Sequence, residues 1–490
     1  MWKPLERIRF ATTSGNWPSA QDAEDSRLFS PIKLGSRQLT SRTWVPAMVP
    51  WRATDDGFVT DDVVDWYKRF AEGRPGAIVV EATGVRDVPS GPLLRAGHDR
   101  FLDGLKRLVE AVKTASDGET ALYIQLIDFL AIKRRPEREK YLRRFLRIQD
   151  SHREKLEKLG TAVSEASDDD IREQLIARDD EELRLILAPR EYEDLTVGFR
   201  ERVTDVERAH IEELPRVLPD IFASAAARAE LAGFDGVELH YAHAYTMASF
   251  LSRLNTREDG YGGGKENRIK LPLEVYSAVR AKVKDKFAVG CRFLSEDCIE
   301  GGNQLEDSCY FGEQFAAAGM DFLSLSRGGK FEDAKQPKVG WSAYPYTGPS
   351  GYECMPQYLS DEQGPFGRNV EPVSKIRQAV RSANFDTPIV VAGGIHNFEQ
   401  AEGILENNQA DIIGFARQAM ADPDWFRKVR GGHGEAVRLC EYTNYCEGLD
   451  QKHKQVTCQL WDREDMDAED VAKSHDGKRR LIAPAWKPPS

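Results

Sequence analysis

No stretch of this 490-residue chain approaches the ~20 consecutive apolar residues that a membrane-spanning helix needs. The opening segment, Met1 to Phe10, likewise lacks a basic region followed by an apolar one. No membrane partner is therefore expected, and a soluble, cytoplasmic protein is. Basic excess is also missing: 68 Lys and Arg stand against 80 Asp and Glu, a net charge of -12, which argues against binding a phosphate backbone and so against a nucleic-acid partner. Cysteine is scarce. Seven in so long a chain, an odd number, suggest reduced thiols rather than a disulfide framework. There is no low-complexity tract, and no repeat beyond an alternation of short apolar runs with longer amphipathic ones.

That alternation is the informative presence. Apolar runs occur at Thr43 to Met48, Ala77 to Ala82, Ala121 to Ile127, Gly236 to His240, Phe287 to Phe293, Phe322 to Ser326, Ile389 to Ala392 and Ile412 to Phe415. Between them lie helical candidates at Asp61 to Ala71, Phe101 to Ala115, Leu218 to Ala232, Ile269 to Lys284, Gln304 to Ala318, Val373 to Arg381 and Phe398 to Asn407. Strands buried on both faces and alternating with helices read as βα units. Eight of them predict an α/β fold, a (β/α)8 TIM barrel with its functional residues at the C-terminal strand ends. A doubly wound open sheet is the competing architecture. One interval is abnormal: about 90 residues separate Ile127 from Leu218, far above an ordinary βα connection. The charge-dense stretch from Lys133 to Arg184, with Glu137, Tyr141, Phe145, Ile148 and His152 at helix-like spacing, predicts one or two amphipathic helices inserted after the third strand. A solvated excursion is the plain reading, and a lid or subunit contact the sharper one.

The run from Gly236 to Arg268 carries the chemistry. A strand ends at His240, with His243 three residues on and Tyr245 two further, so three hydrogen-bonding groups gather just past a strand end. Such a set suits an electron-rich oxygen and a proton transfer. A metal site in a barrel hydrolase would need a third ligand, and none is fixed by the sequence.

With Asn255, Arg257, Asp259, Tyr261, Gly262, Gly263, Glu266, Asn267 and Arg268 following, the segment resembles the signature of the Old Yellow Enzyme family of FMN-dependent oxidoreductases, departing visibly at Gly264, where serine is usual. The likeness is nearest to the barrel domain of the 2,4-dienoyl-CoA reductase branch. It implies FMN, with NAD(P)H as reductant. His240 and His243 would polarise the carbonyl of an unsaturated carbonyl compound or enoyl-CoA thioester, and Tyr245 would protonate the α-carbon while hydride reaches the β-carbon. The resemblance further implies Pro46, Ala47, Met48 and Val49 beside the flavin ring, Ala82 against it and Gln125 on its pyrimidine edge. Arg292 would face the flavin N1 and O2, and Tyr346 would help shape the substrate side among the aromatics Trp341, Tyr344 and Tyr352. Val49 and Asp128 depart from the family's usual threonine or cysteine and histidine. Read without the family, Arg292 is a guanidinium in a barrel interior and needs an anionic ligand or an ion pair. Gly393, Gly394, Ala416 and Arg417 follow the seventh and eighth strands, where this barrel binds phosphate.

Cys440, Cys446 and Cys458 are similar, with imperfect spacing, to a four-iron cluster run of that branch; three thiols make a relic, and neither a cluster nor another metal is expected. The expected layout is an N-terminal arm at 1–27, a barrel over 28–439 interrupted by the 129–205 insertion, and a 440–490 extension, with the segments before Asp25 and after Trp461 read as arms or tails. An ene-reductase acting on a small molecule, as a homo-oligomer, is the leading reading. The alternatives are a flavin subunit needing a partner electron donor, or a flavin dehydrogenase running in reverse.

Overall fold

In a computed structural model, which describes residues 11–163, 165–329, 331, 336–343 and 364–488, the eight apolar runs form a closed all-parallel barrel. A short antiparallel hairpin, β1 (Ile32–Leu34) and β2 (Arg37–Leu39), precedes it. The barrel strands are β3 (Thr43–Val45), β4 (Ala77–Gly84), β5 (Ala121–Ile127), β6 (Gly236–Tyr241), β7 (Ala288–Leu294), β8 (Leu323–Ser326), β9 (Ile389–Ala392) and β10 (Ile412–Gly414), with β10 closing on β3. Each of the seven predicted helices forms, with ends shifted by up to four residues; Leu214–Ala232, for example, begins a turn early and stops at Gly233 in the left-handed region. No described helix is long and apolar enough to cross a membrane.

The interior is layered, as the period-two alternation of strand side chains requires. The lower layers are an apolar plug of Leu34, Leu39, Trp44, Tyr123, Phe322, Val390 and Ile412, with Trp44 stacked on Tyr123 at 5.1 Å. Bulk on three strands is matched by its absence on two others: a Cβ on Gly236 would sit 2.8 Å from the Tyr123 ring, and one on Gly290 2.5 Å from Phe322. One residue pair higher along the same strands, the inward positions turn polar: Gln125 pairs in register with Glu238, and Arg292 with both His240 and Ser324. The plug is thus the floor on which the site stands.

The second half of the signature is a staple. Asn255 donates to the carbonyls of Phe250 (2.9 Å) and Tyr261 (2.7 Å), Arg257 to those of Val203 (2.7 Å) and Ile211 (3.1 Å), and Arg268 to Leu251 O, Asn303 and Asp307. Gly262 is required because a Cβ there would lie 2.5 Å from Arg257 N.

The insertion differs from its expectation. It contains five short helices, Arg138–Arg144, Asp150–Lys158, Asp168–Ile176, Asp180–Ile186 and Pro189–Thr196, around a core of its own built from Tyr141, Leu142, Leu146, Leu156, Ile171, Leu175, Leu183, Ile186 and Leu195. The spacing from Glu137 to His152 spans two helices broken at 145–149, and Phe145 is exposed. Capping boxes at Ser167/Asp170 and Asp179/Glu182 explain how such short helices start. The terminal segments are also more than tails. Thr13 O accepts from Asn397 Nδ2 at 3.0 Å, and the buried Arg52 and Arg69 donate to the carbonyls of Val456 (2.9 Å), Leu481 (2.7 Å) and Ala483 (2.9 Å), binding residues 455–484 to the barrel.

This packing is open to test at two points. Gly290→Ala drives a methyl into Phe322 and should destabilise the fold by about 1–3 kcal/mol, read as a lower urea midpoint at unchanged slope; a wild-type midpoint would mean that the plug has slack. Glu81 on β4 is fully buried, accepts from Tyr67 Oη at 3.1 Å and Leu94 N at 3.3 Å, and burial raises its pKa from 4.5 to about 8. The unfolded chain releases this proton first, so the residue's contribution is complete below pH 4.5 and is lost as pH rises to about 8. Glu81→Gln should gain stability relative to wild type across that window, and parallel denaturation curves at all pH values would refute it.

Candidate active site

A cavity of about 660 Å³ opens above the polar layer at the C-terminal ends of the strands. Its walls include Ala47, Met48 and Val49 after β3, Ala82 on β4, Gln125 and Ile127 on β5, and His240, His243 and Tyr245 on and after β6. Arg292 on β7, Ser326 on β8, and Ala416 and Arg417 after β10 complete the ring. Eleven sequence-predicted site residues are therefore brought together around one space: Ala47, Met48, Val49, Ala82, Gln125, His240, His243, Tyr245, Arg292, Ala416 and Arg417. Pro46, Gly393 and Gly394 do not line it. Gly393 and Gly394 hold the left-handed backbone expected of a tight turn after β9, and Gly394 O accepts from Gly367 N at 3.2 Å and from Gln400 Nε2 at 3.0 Å. Tyr344, Tyr346 and Tyr352 lie outside the described residues, and Trp341 is half exposed.

At the cavity floor Gln125 Nε2 donates to Glu238 Oε1 at 2.5 Å, and Arg292 donates to Ser324 Oγ at 3.1 Å. Burial raises the pKa of Glu238, while the nearby Arg292, Gln125 and Ser324 lower it. Among the described residues no carboxylate lies within ion-pair distance of Arg292, so its guanidinium is available to an anionic or electron-rich guest.

On one side stands the trio. Burial, with the Arg292 charge as second cause, lowers the pKa of His240 from 6.5 to about 3 and keeps the ring neutral. The backbone N–H of Ala242 donates to His240 Nδ1 at 3.4 Å, which leaves the proton on Nε2. That Nε2 faces His243 Nδ1 at 3.4 Å, and His243 Nε2 lies 2.7 Å from Ser326 Oγ. The His–His contact is long beside an ordinary hydrogen bond of about 2.9–3.0 Å, so a guest oxygen can take the Nε2–H over. The rings of His240 and Tyr245 are 5.5 Å apart. Burial, and secondarily the Asp450 charge, raises the Tyr245 pKa, so the phenol stays protonated. His243 (φ +59°) and Ala244 (φ +65°) are both left-handed without being glycine, a strained turn between strand and helix that sets the second histidine beside the first.

The far wall was not legible from sequence. Trp51 donates to Asp450 Oδ1 at 2.6 Å and stacks on His453 at 4.0 Å; with Asn444, Cys446 and Glu447 they enclose the cavity. Arg417 donates to Asn444 and its guanidinium sits 4.6 Å from the Tyr442 ring centroid. Nothing in a pattern of spacings links residue 51 to residues 444–453. Glu238 did carry a signal, a carboxylate in an apolar strand two residues before His240. Cys440 and Cys458 pack in an apolar cluster with Ala421 and Tyr442, and burial raises the Cys446 and Cys458 thiols to about 12. Among the described residues no group of three or more His, Cys, Asp or Glu is arranged to hold a metal ion.

The comparisons agree with this geometry. Residues 208–435 match the model of the NADH:flavin oxidoreductase / NADH oxidase family. That stretch, which contains β6 to β10 and the trio of His240, His243 and Tyr245, is therefore similar to this family. It is 26% identical over 418 residues to the NADH oxidase of Thermoanaerobacter brockii, a match covering 84% of this chain and 52% of that protein. The chain spans about half the length of the first curated relatives it matches. Among solved structures, a 2-naphthoyl-CoA reductase complex superposes with a TM-score of 0.64 at 19% identity, covering 92% of this chain and 60% of the other. An old yellow enzyme homologue from Zymomonas mobilis gives 0.51 at 22% identity, covering 82% and 91%. At these identities the solved structures show a shared fold.

Proposed function

We propose that the cavity binds FMN and that the protein reduces an activated C=C bond, in an α,β-unsaturated carbonyl compound or enoyl thioester, with NAD(P)H as reductant. The observation carrying this reading is the neutral His240, its Nε2–H beside His243 and Tyr245, over the same cavity floor as Gln125 and Arg292. The donor set suits an isoalloxazine. Gln125 offers an amide able both to donate and to accept, Arg292 a guanidinium without a carboxylate partner, and Ala47, Met48 and Ala82 a small apolar wall. Arg417, after β10, supplies charge on the side where this barrel type receives phosphate.

Gln125, Arg292 and Arg417 would hold FMN here, and the group would supply hydride chemistry at the β-carbon of the alkene. The chain's residues handle oxygen and proton. His240 and His243 donate hydrogen bonds to the carbonyl oxygen and stabilise the negative charge that develops on it, a contribution of roughly 2.7–4 kcal/mol per donor. Tyr245 passes its phenolic proton to the α-carbon. Its raised pKa keeps that proton in place across the neutral range. Ile127 and Phe129 add apolar surface to the same cavity.

The first test is the anaerobic visible spectrum with NADH or NADPH: flavin bands should bleach and recover on adding cyclohexenone or a crotonyl thioester. Tyr245→Phe should slow the recovery about 10²–10⁴-fold while the bleaching rate holds, and equal recovery would remove Tyr245 as proton donor. Because His240 titrates near pH 3, the recovery rate should show no ionisation from this residue between pH 5 and 8. An inflection there that disappears in His240→Asn would contradict a neutral donor.

A further inference from the structure

The Tyr245 ring is held in an unusual way. Beside the main cavity the ring also borders a second, small cavity of about 60 Å³, whose walls include Leu130, Ile132, Arg200, Tyr245 and Phe331, so solid packing does not surround it. Two aromatic neighbours meet it edge to face: Phe129 at 5.2 Å and 84°, and Phe331 at 6.0 Å and 85°.

Both neighbours lead to the insertion. Phe129 stands at its entry, where the Asp128 carboxylate is gripped by Arg86 and the Asp128 carbonyl accepts from Thr246 Oγ1 at 3.0 Å, tying the root to the residue after Tyr245. Arg200 stands at its exit, with its guanidinium 5.7 Å from the centroid of Phe331. Arg200 is itself buried and donates through Nε to Glu193 Oε1 at 3.1 Å, on the last insertion helix. Entry and exit are zipped together by backbone bonds, Lys133 N to Phe199 O at 2.8 Å and Glu201 N to Ala131 O at 2.9 Å.

We propose that the insertion is a positioning device for the proton donor: Arg200, seated on Phe331, holds that ring against Tyr245 while Phe129 supplies a second edge-to-face contact, and together they set where the phenolic hydroxyl points. The proposal rests on the reading of Tyr245 as proton donor and gives the insertion a role in that step. The described helices of the insertion do not line the main cavity, whereas its entry residues Phe129, Leu130, Ile132 and Arg134 do, so the helices reach the site through the segments that they anchor. A ring free to swing into the small cavity would present its hydroxyl to the α-carbon for only part of the time. The missing fraction would appear in the turnover rate rather than in substrate binding.

The test uses the full-length flavoprotein and cyclohexenone as probe. Arg200→Met and Phe331→Leu should each lower kcat for enone reduction tenfold or more with KM changed less than threefold, and the solvent deuterium isotope effect should rise as proton delivery becomes limiting. Arg200→Lys and Phe331→Tyr, which keep a cation and a ring, should restore most of the rate. Arg200 also balances Glu193, so Phe331→Leu, which leaves that pair intact, covers the case in which Arg200→Met fails to fold. A wild-type kcat and isotope effect in Phe331→Leu would overturn the proposal, as would a loss that the conservative variants share. Tyr245→Phe assayed alongside separates the two readings: if it turns over normally, the proton-donor assignment falls and the positioning role with it. If it is slow and the Phe331 and Arg200 variants are not, only the positioning role falls.

Discussion

A guanidinium inside a barrel is the constraint around which this molecule is arranged. Arg292 stands on a strand whose other inward positions are Ala288 and Gly290, over a plug of aromatic rings, and an uncompensated charge in such a place would cost many kcal/mol. The structure meets the cost with a polar layer one side chain thick. Ser324 accepts from the arginine, Glu238 lies near enough for Arg292 to lower its pKa, and Gln125 fixes the carboxylate from the other side. The same charge helps to hold His240 neutral, so the residue that defines the cavity floor also sets the protonation state of the residue that defines its wall. The layer that makes Arg292 tolerable is also the floor of the cavity.

The signature divides physically into two parts. His240, His243 and Tyr245 face the cavity, whereas Asn255, Arg257, Gly262 and Arg268 face carbonyls of the surrounding loops and hold them still. The dependence runs through geometry. Arg257 bonds to Val203 and Ile211, so the loop that follows the trio is tied to the exit of the insertion, and the insertion in turn approaches the ring of Tyr245. A motif that reads as one string of residues is a cavity-facing edge followed by its brace.

How much of this was written in the sequence depends on the range of the interaction. Strand positions were legible because burial on both faces leaves a local record in apolar runs, and Gln125 and Arg292 stood out as polar residues inside such runs. The five helices of the insertion were not resolved into separate elements, because their apolar positions serve a core made among themselves and the spacing from Glu137 to His152 crosses a break. The binding of residues 455–484 to the barrel was hidden for another reason: it rests on arginines donating to backbone carbonyls, and a carbonyl acceptor leaves no trace in residue type. The wall formed by Trp51 with Asp450 and His453 joins positions some 400 apart, which only the fold brings together.

That wall changes what the two departures from the family pattern mean. At Val49 a side chain without a hydrogen-bond donor lines the cavity near β3, two residues before Trp51, whose own backbone is left-handed at φ +54°. At Asp128 a carboxylate replaces an imidazole and is turned away from the cavity into a pair with Arg86. Both substitutions subtract a polar group from the space around the guest, and both lie next to residues that anchor a segment foreign to a bare barrel: the 444–456 wall in one case and the insertion in the other. Polar groups that the early strands do not offer are supplied from across the cavity by Asn444, Glu447, Asp450 and His453. The polar lining of the cavity is therefore drawn from the barrel strands on one side and from the 444–453 segment on the other.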